Sequence, residues 1–368
     1  MGALHQLLED AAARAPDHPL FVGPKGEVSY GEADRAAGAL AAGLRERGVA
    51  PGQCVALLLP DGPQFLVGYY GILKVGATVV PLSPDARAPS LCALLRRCGA
   101  VALITTGKNS KLLSGRLDQL PQLRLLVSVS PVQLEAQGQL SLIDWEAITR
   151  DGRHSAPAAD DDLASVMYTS GTTAQPKGVM LSHRNMVAAT RSIVEYLELQ
   201  PDERMAMVLP FFYSYGLSVM HTHICVGGTI CLAGSVAFPA AVLRSIERYR
   251  CTGLSGVPST FARLVHTKAI DKFDVSSLRY LTQAGGPMTP ALTETVLRTF
   301  PRARLYVMYG QTEAAPRLSY LPPADLGRKL GSVGRAIPCV SLKVVDAQGR
   351  PVEPGEVGEL VAQGPNIM

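Results

Sequence analysis

The first part of the chain alternates between two kinds of apolar pattern. "CVALLLP", "ATVVPL" and "VALITT" are short unbroken apolar runs, as strands buried on both faces show. Between them, "GEADRAAGALAAGLRERG", "PQFLVGYYGILKVG" and "APSLCALLRRCG" place apolar residues at helical spacing, and the first two predict helices closed by Gly48 and Gly76. Ahead of these, "PLFVGPKGEVSY" reads as two short strands around a Gly/Pro turn, and "MGALHQLLEDAAARAPDHPL" as an amphipathic helix. Strand, helix, strand in that order predicts an α/β protein whose parallel-type sheets carry helices on their faces.

Residues 151–162, "DGRHSAPAADDD", are small and polar and predict an exposed linker before the strand "LASVMYTS". A second alternating block follows, with "GGTICLAG", "CTGLSGVPS", "LRYLTQAGG" and "ARLYVMYG" as its strands. After Pro322 the pattern shifts to short β-rich runs between Gly and Pro turns. The expected division is 1–162 as a first α/β portion, 163–320 as a second, and 321–368 as the start of a β-rich subdomain.

Composition narrows the class. Hydrophobic residues make up 47% of the 368 and charged residues 18%, enough for a sizeable core and unlike a disordered chain. The net charge of +4 is dispersed, with no basic run that would mark a nucleic-acid arm. Seven cysteines, an odd number with no CxxC spacing, sit mostly in apolar runs and predict buried reduced thiols in a cytoplasmic protein. There is no signal-peptide pattern and no apolar run of membrane-spanning length. Gly2 is followed by Gln6 where a myristoylation motif needs Ser or Thr.

The densest chemistry lies in "YTSGTTAQPKGVMLSHRN", residues 168–185. A Walker loop needs GxxxxGK[ST] opening a helix at its lysine. Here Pro176 stands at the second glycine and Gly178 at the Ser/Thr, and the lysine is followed by the strand pattern "VMLS". The order is strand, loop, strand, helix, with Ser182 as the N-cap of a helix over "HRNMVAATRSIVEYL". The loop still suits phosphate. Thr169, Ser170, Thr172 and Thr173 offer hydroxyls, Gly171 lets backbone N–H groups approach an anion, and Lys177 adds a mobile charge. His221 and His223 sit two apart on a helix, do not share a face and are not read as a metal pair. His183 is expected to help cap its own helix.

These residues, in this order, resemble the signature of the adenylate-forming superfamily: acyl-CoA synthetases, aryl-acid ligases, peptide-synthetase adenylation domains and luciferase-like enzymes. "LKVGATVVPLSP", "PFFYSYGLSVMHTHICVGG", "QAGGPM", "YVMYGQTEA", "GSVGRAIP" and "PGEVGELVAQG" resemble further family segments in the right order, over nearly the whole chain. The resemblance implies two interwoven parallel-type sheets flanked by helices, with a small β-barrel-like portion. It also implies ATP-dependent activation of a carboxylic acid to an acyl-adenylate, Mg²⁺ as cofactor, and transfer to the thiol of CoA or of phosphopantetheine on a carrier protein. An ionised acid needs no general base. The work is bringing one anion onto another, by positioning and by charge on the phosphates.

Carried over by motif, Thr169 to Thr173 and Lys177 match the loop around the pyrophosphate. Tyr309 matches the aromatic against adenine, with Gly310 beside it, and Gly285, Gly286 and Pro287 the segment passing the base. Thr312 matches the hydroxyl on the α-phosphate and Glu313 the Mg²⁺ carboxylate. The substrate positions carry over as Tyr213, Ser214, Tyr215, Ser218, Met308 and Pro316. Ser214 replaces the Asp that pairs with the ammonium in α-amino-acid-activating members, which disfavours those substrates. Tyr213 falls where many CoA ligases carry His, a departure. The family's later Thr-Gly-Asp motif and its mobile lysine-bearing C-terminal lid are not found before Met368. The expectation is therefore most of a large domain, adenylating poorly alone. Rival readings are an adenylate-former that acylates an amine or serves oxygen chemistry, and a non-catalytic binding domain.

Overall fold

A computed structural model describes residues 2–24, 26–134, 140–169 and 176–368. The chain forms two compact units. One comprises residues 1–20, 28–184 and 210–213, the other residues 21–27, 185–209 and 214–368. Each unit takes segments from either side of the other in sequence, the interwoven arrangement that the resemblance implies.

In the first unit the sheet runs Ser141–Asp144, Leu125–Ser128, Ala102–Thr105, Cys54–Leu58, Thr78–Pro81, Leu163–Thr169, Lys177–Ser182. All described pairs are parallel except the last, where Thr169 faces Lys177 across an antiparallel ladder. Val55 lies between Val79 and Ala102, and the strands Thr78–Pro81 and Ala102–Thr105 are buried along their length, as their unbroken apolar runs require. Ala56, Val80, Leu103 and Leu126 close one core with Leu91 and Leu95 of the helix Ala88–Arg97. The helix Tyr30–Glu46 begins with a reciprocal cap. The Ser29 Oγ accepts from the Glu32 N–H, and the Glu32 carboxylate accepts from the Ser29 N–H at 2.8 Å.

Residues 151–162 are mostly exposed and carry no helix or strand, as an exposed linker does, yet the segment is tied down at two points. The His154 N–H donates to the Gly38 carbonyl at 3.1 Å and the Ala156 N–H to the Lys74 carbonyl at 2.6 Å, leaving Ala156 buried. His183 opens the helix His183–Leu197, yet its buried Nδ1 accepts from the Leu4 N–H at 2.9 Å, just ahead of the helix Gln6–Arg14. It serves another helix's entry, a long-range partnership that the local pattern cannot show.

In the second unit the sheet runs Arg335–Ala336, Ser319–Leu321, Arg304–Tyr309, Tyr280–Gln283, Gly253–Gly256, Arg204–Met207, Thr229–Leu232, and ends on the strands to which residues 21–27 belong. The middle pairs are parallel and those beyond Arg304–Tyr309 antiparallel. The helices Pro239–Tyr249, Pro258–Val265 and Pro290–Thr299 bring Val242, Phe261 and Val296 onto Leu254, Leu281 and Leu305. Ser341–Val345 and Glu359–Gln363 pair as a two-stranded antiparallel sheet. No described cysteine is disulfide-bonded. Cys92, Cys231 and Cys251 are buried, Cys54, Cys98 and Cys225 are half-buried and Cys339 is exposed, so the buried thiols that the sequence suggested are found only in part. Among the described residues no helix is long and apolar enough to cross a membrane.

Candidate active site

The parallel strands Tyr280–Gln283 and Arg304–Tyr309 lie side by side, with Gln283 opposite Val307, so both end at one edge of the second unit's sheet. Ligands of such sheets bind beyond the strands' carboxyl ends. A 690 Å³ groove lies there, walled by Gly285, Pro287, Met308, Tyr309 and Gly310, with Val333 across from them. Gly285 holds φ +83°, which a side chain would strain. A methyl at Gly310 would come within 1.9 Å of the Pro316 carbonyl oxygen, so the chain can pass there only as glycine. Tyr309 is 38% exposed, its ring at the groove's margin.

Beyond Gly310 the chain makes a short turn, Thr312–Ala314. The Thr312 hydroxyl meets the Ser214 hydroxyl at 3.1 Å, at the first residue of the helix Ser214–Val226. Asn366 pins this turn from below, donating to the carbonyls of Ala314 and Arg317 at 2.9 and 2.8 Å, and the Met368 N–H donates to the Glu313 carbonyl at 3.0 Å. The Glu313 carboxylate is half-buried and has no ion-pair partner among the described residues.

Deeper in the same unit the helix packs its polar side on the sheet. The Tyr215 hydroxyl donates to the Thr282 carbonyl at 2.9 Å, and Thr282 Oγ1 lies 2.7 Å from Ser255 Oγ. Burial raises the Tyr215 phenol, though the nearby Arg317 opposes this, so it stays a neutral donor at neutral pH. Ser218 donates to the Tyr215 carbonyl at 2.8 Å, and Met308 sulfur accepts from the Tyr196 hydroxyl at 3.0 Å. Pro316 is buried beside Gly310. Burial drives His221 down to about 3 and His223 to about 4. The neutral His223 donates from Nδ1 to the Val219 carbonyl at 2.7 Å and accepts at Nε2 from the Tyr280 hydroxyl at 2.9 Å.

Gly285, Gly286, Pro287, Met308, Tyr309 and Gly310 thus meet at one groove, and Ser214, Tyr215, Ser218, Thr312, Glu313 and Pro316 belong to the same unit. Thr169 and Lys177 end the paired strands of the first unit, with Lys177 exposed, and Tyr213 closes that unit's segment 210–213, exposed against Phe212. Ser170, Gly171, Thr172 and Thr173 lie outside the described residues. The sequence reading missed two groups. Gln283 is fully buried, donates to the Gly286 carbonyl at 2.7 Å and leaves Oε1 without a partner. Arg317 is 2% exposed in the run "APRLSYL", where a charge among apolar residues is the signal that could have found it.

The model of one family, the AMP-binding enzymes, matches residues 8–368. The chain belongs to this family. The resemblance first seen in the motifs is therefore borne out, and the relatives are acyl- and aryl-CoA ligases. A feruloyl-CoA synthase of an Amycolatopsis species is 33% identical over 346 residues, which cover 93% of this chain and 66% of the relative. The chain thus spans about two thirds of that relative's length. The inhibitor-bound N-terminal domain of FACL13 from Mycobacterium tuberculosis superposes with a TM-score of 0.85 at 25% identity, over 100% of this chain and 90% of that one. The anthranilate CoA ligase AuaEII, solved with anthranoyl-AMP, shares the fold at a TM-score of 0.89 and 24% identity, over 99% of this chain and 69% of its own.

Proposed function

We propose that the protein activates an acyl or aryl acid with ATP, forming an acyl-adenylate whose acyl group passes to the thiol of CoA or a carrier protein. The observation that carries this is the groove at the strands' carboxyl ends, set beside the Ser214–Thr312 hydroxyl pair. Its 690 Å³ is the size of a small-molecule site. In this reading Tyr309 stacks on adenine, and Gly285, Gly286 and Pro287 pass close to the base because the glycines lack side chains. Gly310 lets the chain turn so that Thr312 reaches the α-phosphate. Thr169 to Thr173 and Lys177 take the pyrophosphate.

Glu313 fits a magnesium ion: a half-buried carboxylate with no ion pair among the described residues is the ligand that a hard cation shares with phosphate oxygens. Such an ion would offset phosphate charge as the acid approaches. At Ser214 a neutral hydroxyl faces Thr312, and the Ser218 hydroxyl is turned back onto its own helix. Neither compensates a substrate ammonium, which disfavours ordinary α-amino acids as substrates.

The test is acid-dependent pyrophosphate release across a panel of aliphatic and aryl acids, with and without CoA. We expect release that is slow in this chain alone but needs acid and ATP together, and that falls about 100-fold in Thr312→Val. ATP hydrolysis indifferent to every acid, and unchanged in Thr312→Val and Tyr309→Ala, would overturn the reading.

A further inference from the structure

Within the second unit lies a small, partly open cavity of 10 Å³. Its polar walls are Tyr215, Ser218, His223, Ser255 and Thr282, with Arg317 among them. Nearly all of this polarity is already spent. Tyr215 and Ser255 bond to Thr282, Ser218 to the Tyr215 carbonyl, and His223 to Val219 and Tyr280. Arg317 is the exception. It is 2% exposed, its Nε makes no hydrogen bond, and its guanidinium forms no ion pair among the described residues. The guanidinium lies over the Tyr215 ring, 4.8 Å from the centroid.

A guanidinium cannot shed its charge by losing a proton. Stacking on a tyrosine offsets part of the burial cost, but a cation–π contact is worth less than removing a full charge from water. The cavity has room for about one water. A water would satisfy one N–H without neutralising anything. What the site lacks is an anion.

The direction from which an anion could come is also visible. Met308 lines both this cavity and the 690 Å³ groove, so the two share one residue of their walls. Methionine is an adaptable wall, with three rotatable bonds and a soft sulfur. A group entering from the groove past Met308 reaches Arg317.

We propose that Arg317 receives a second acidic group on the substrate: the acid that this site activates carries another carboxylate at its far end. The proposal rests on the adenylation reading above and deepens it from acids in general to dicarboxylic acids. One carboxylate is joined to AMP, and the other stays ionised, pairs with Arg317 and fixes the register of the substrate. A monoacid of equal length would leave the guanidinium as it is now and place an apolar end against it. The bidentate fork of arginine suits a carboxylate better than a lysine ammonium would.

The experiment compares matched pairs: butanoate with succinate, hexanoate with adipate, octanoate with suberate, and benzoate with terephthalate. The readouts are kcat/KM for pyrophosphate release and the rise in melting temperature with each acid in the presence of ATP. In the wild type, at least one diacid should exceed its monoacid by about 10- to 100-fold, the worth of one hydrogen bond to a charged group. R317M should lower that ratio by the same factor and abolish the diacid's extra thermal shift, and R317K should restore part of both. A wild type that prefers the monoacid in every pair overturns the proposal while leaving adenylation intact. So does an R317M variant that slows both members equally, since that marks a purely structural arginine. Failure of every acid in both readouts would instead defeat the adenylation reading, and this inference with it.

Discussion

Lys74 in the first unit and Arg317 in the second are both buried cations, 1% and 2% exposed. Around Lys74 the fold supplies what the charge needs. Its ammonium donates to Asp34 at 2.6 Å and to Glu9 at 2.9 Å, and the Ser155 hydroxyl donates to the same Glu9 oxygen at 2.6 Å. Around Arg317 the fold supplies a tyrosine face and a set of hydroxyls bonded to one another. A charge finished by its own chain holds the structure together. A charge left open beside a groove is poised for a ligand. Burial alone does not tell the two apart; the list of partners does.

The sharpest way to break this contrast is to remove Lys74. K74M leaves Glu9 without its cation and Asp34 with only the exposed Arg153 at 3.7 Å, and should cost about 3–5 kcal/mol of stability in denaturant melts. No substrate should recover it. Gly310→Ala should come next, at about 1–3 kcal/mol, because its methyl meets a backbone carbonyl that cannot rotate away. It should also weaken nucleotide binding, which a dye-displacement titration would show.

Acid should then weaken both regions without any mutation. Burial holds His183 neutral down to about 4, and its Nδ1 must stay unprotonated to accept from Leu4. Because the folded value lies below the unfolded 6.5, the stability it contributes is complete above 6.5 and is lost as pH falls from there towards 4. At Glu9 burial acts upwards, but Ser155 and Lys74 outweigh it and hold the carboxyl below its usual 4.5. That share is present above 4.5 and disappears as pH falls lower. Hydrogen exchange across this range should show the N-terminal helix loosening and the strand Tyr280–Gln283 losing protection as well, because His223, held neutral by burial down to about 4, must stay unprotonated at Nε2 to accept from the Tyr280 hydroxyl. The smallest effect should be R317M without ligand, within about 1 kcal/mol of wild type or above it, since a buried charge without a partner gives way to an apolar side chain of similar length.

The contrast also marks what the sequence could show. Central strands such as "VALITT" were legible because burial on both faces demands unbroken apolar runs, and Ser29 with Glu32 follows a local capping rule. The groove was legible through "QAGGPM" and "YVMYGQTEA", where glycines and hydroxyls stand at fixed spacing. Long-range partnerships were not. Lys74 sits in the last turn of its helix, where a cation usually faces solvent. Its true partners lie 65 and 40 residues away. The bond from Leu4 to His183 spans 179 residues. Arg317 needs knowledge both of what surrounds it and of what does not, and no periodicity records an absent partner.

The central claim is that the groove holds an acyl-adenylate whose far end points to Arg317. Its most direct test is a crystal structure of the protein with the sulfamoyl-adenosine analogue of a dicarboxylic acid. The account predicts adenine between Tyr309 and the Gly285–Pro287 segment, Thr312 against the linking group, Met308 turned aside and the free carboxylate on Arg317. Adenine bound away from Tyr309, or a free carboxylate pointing into solvent with Met308 and Arg317 unmoved, would contradict it.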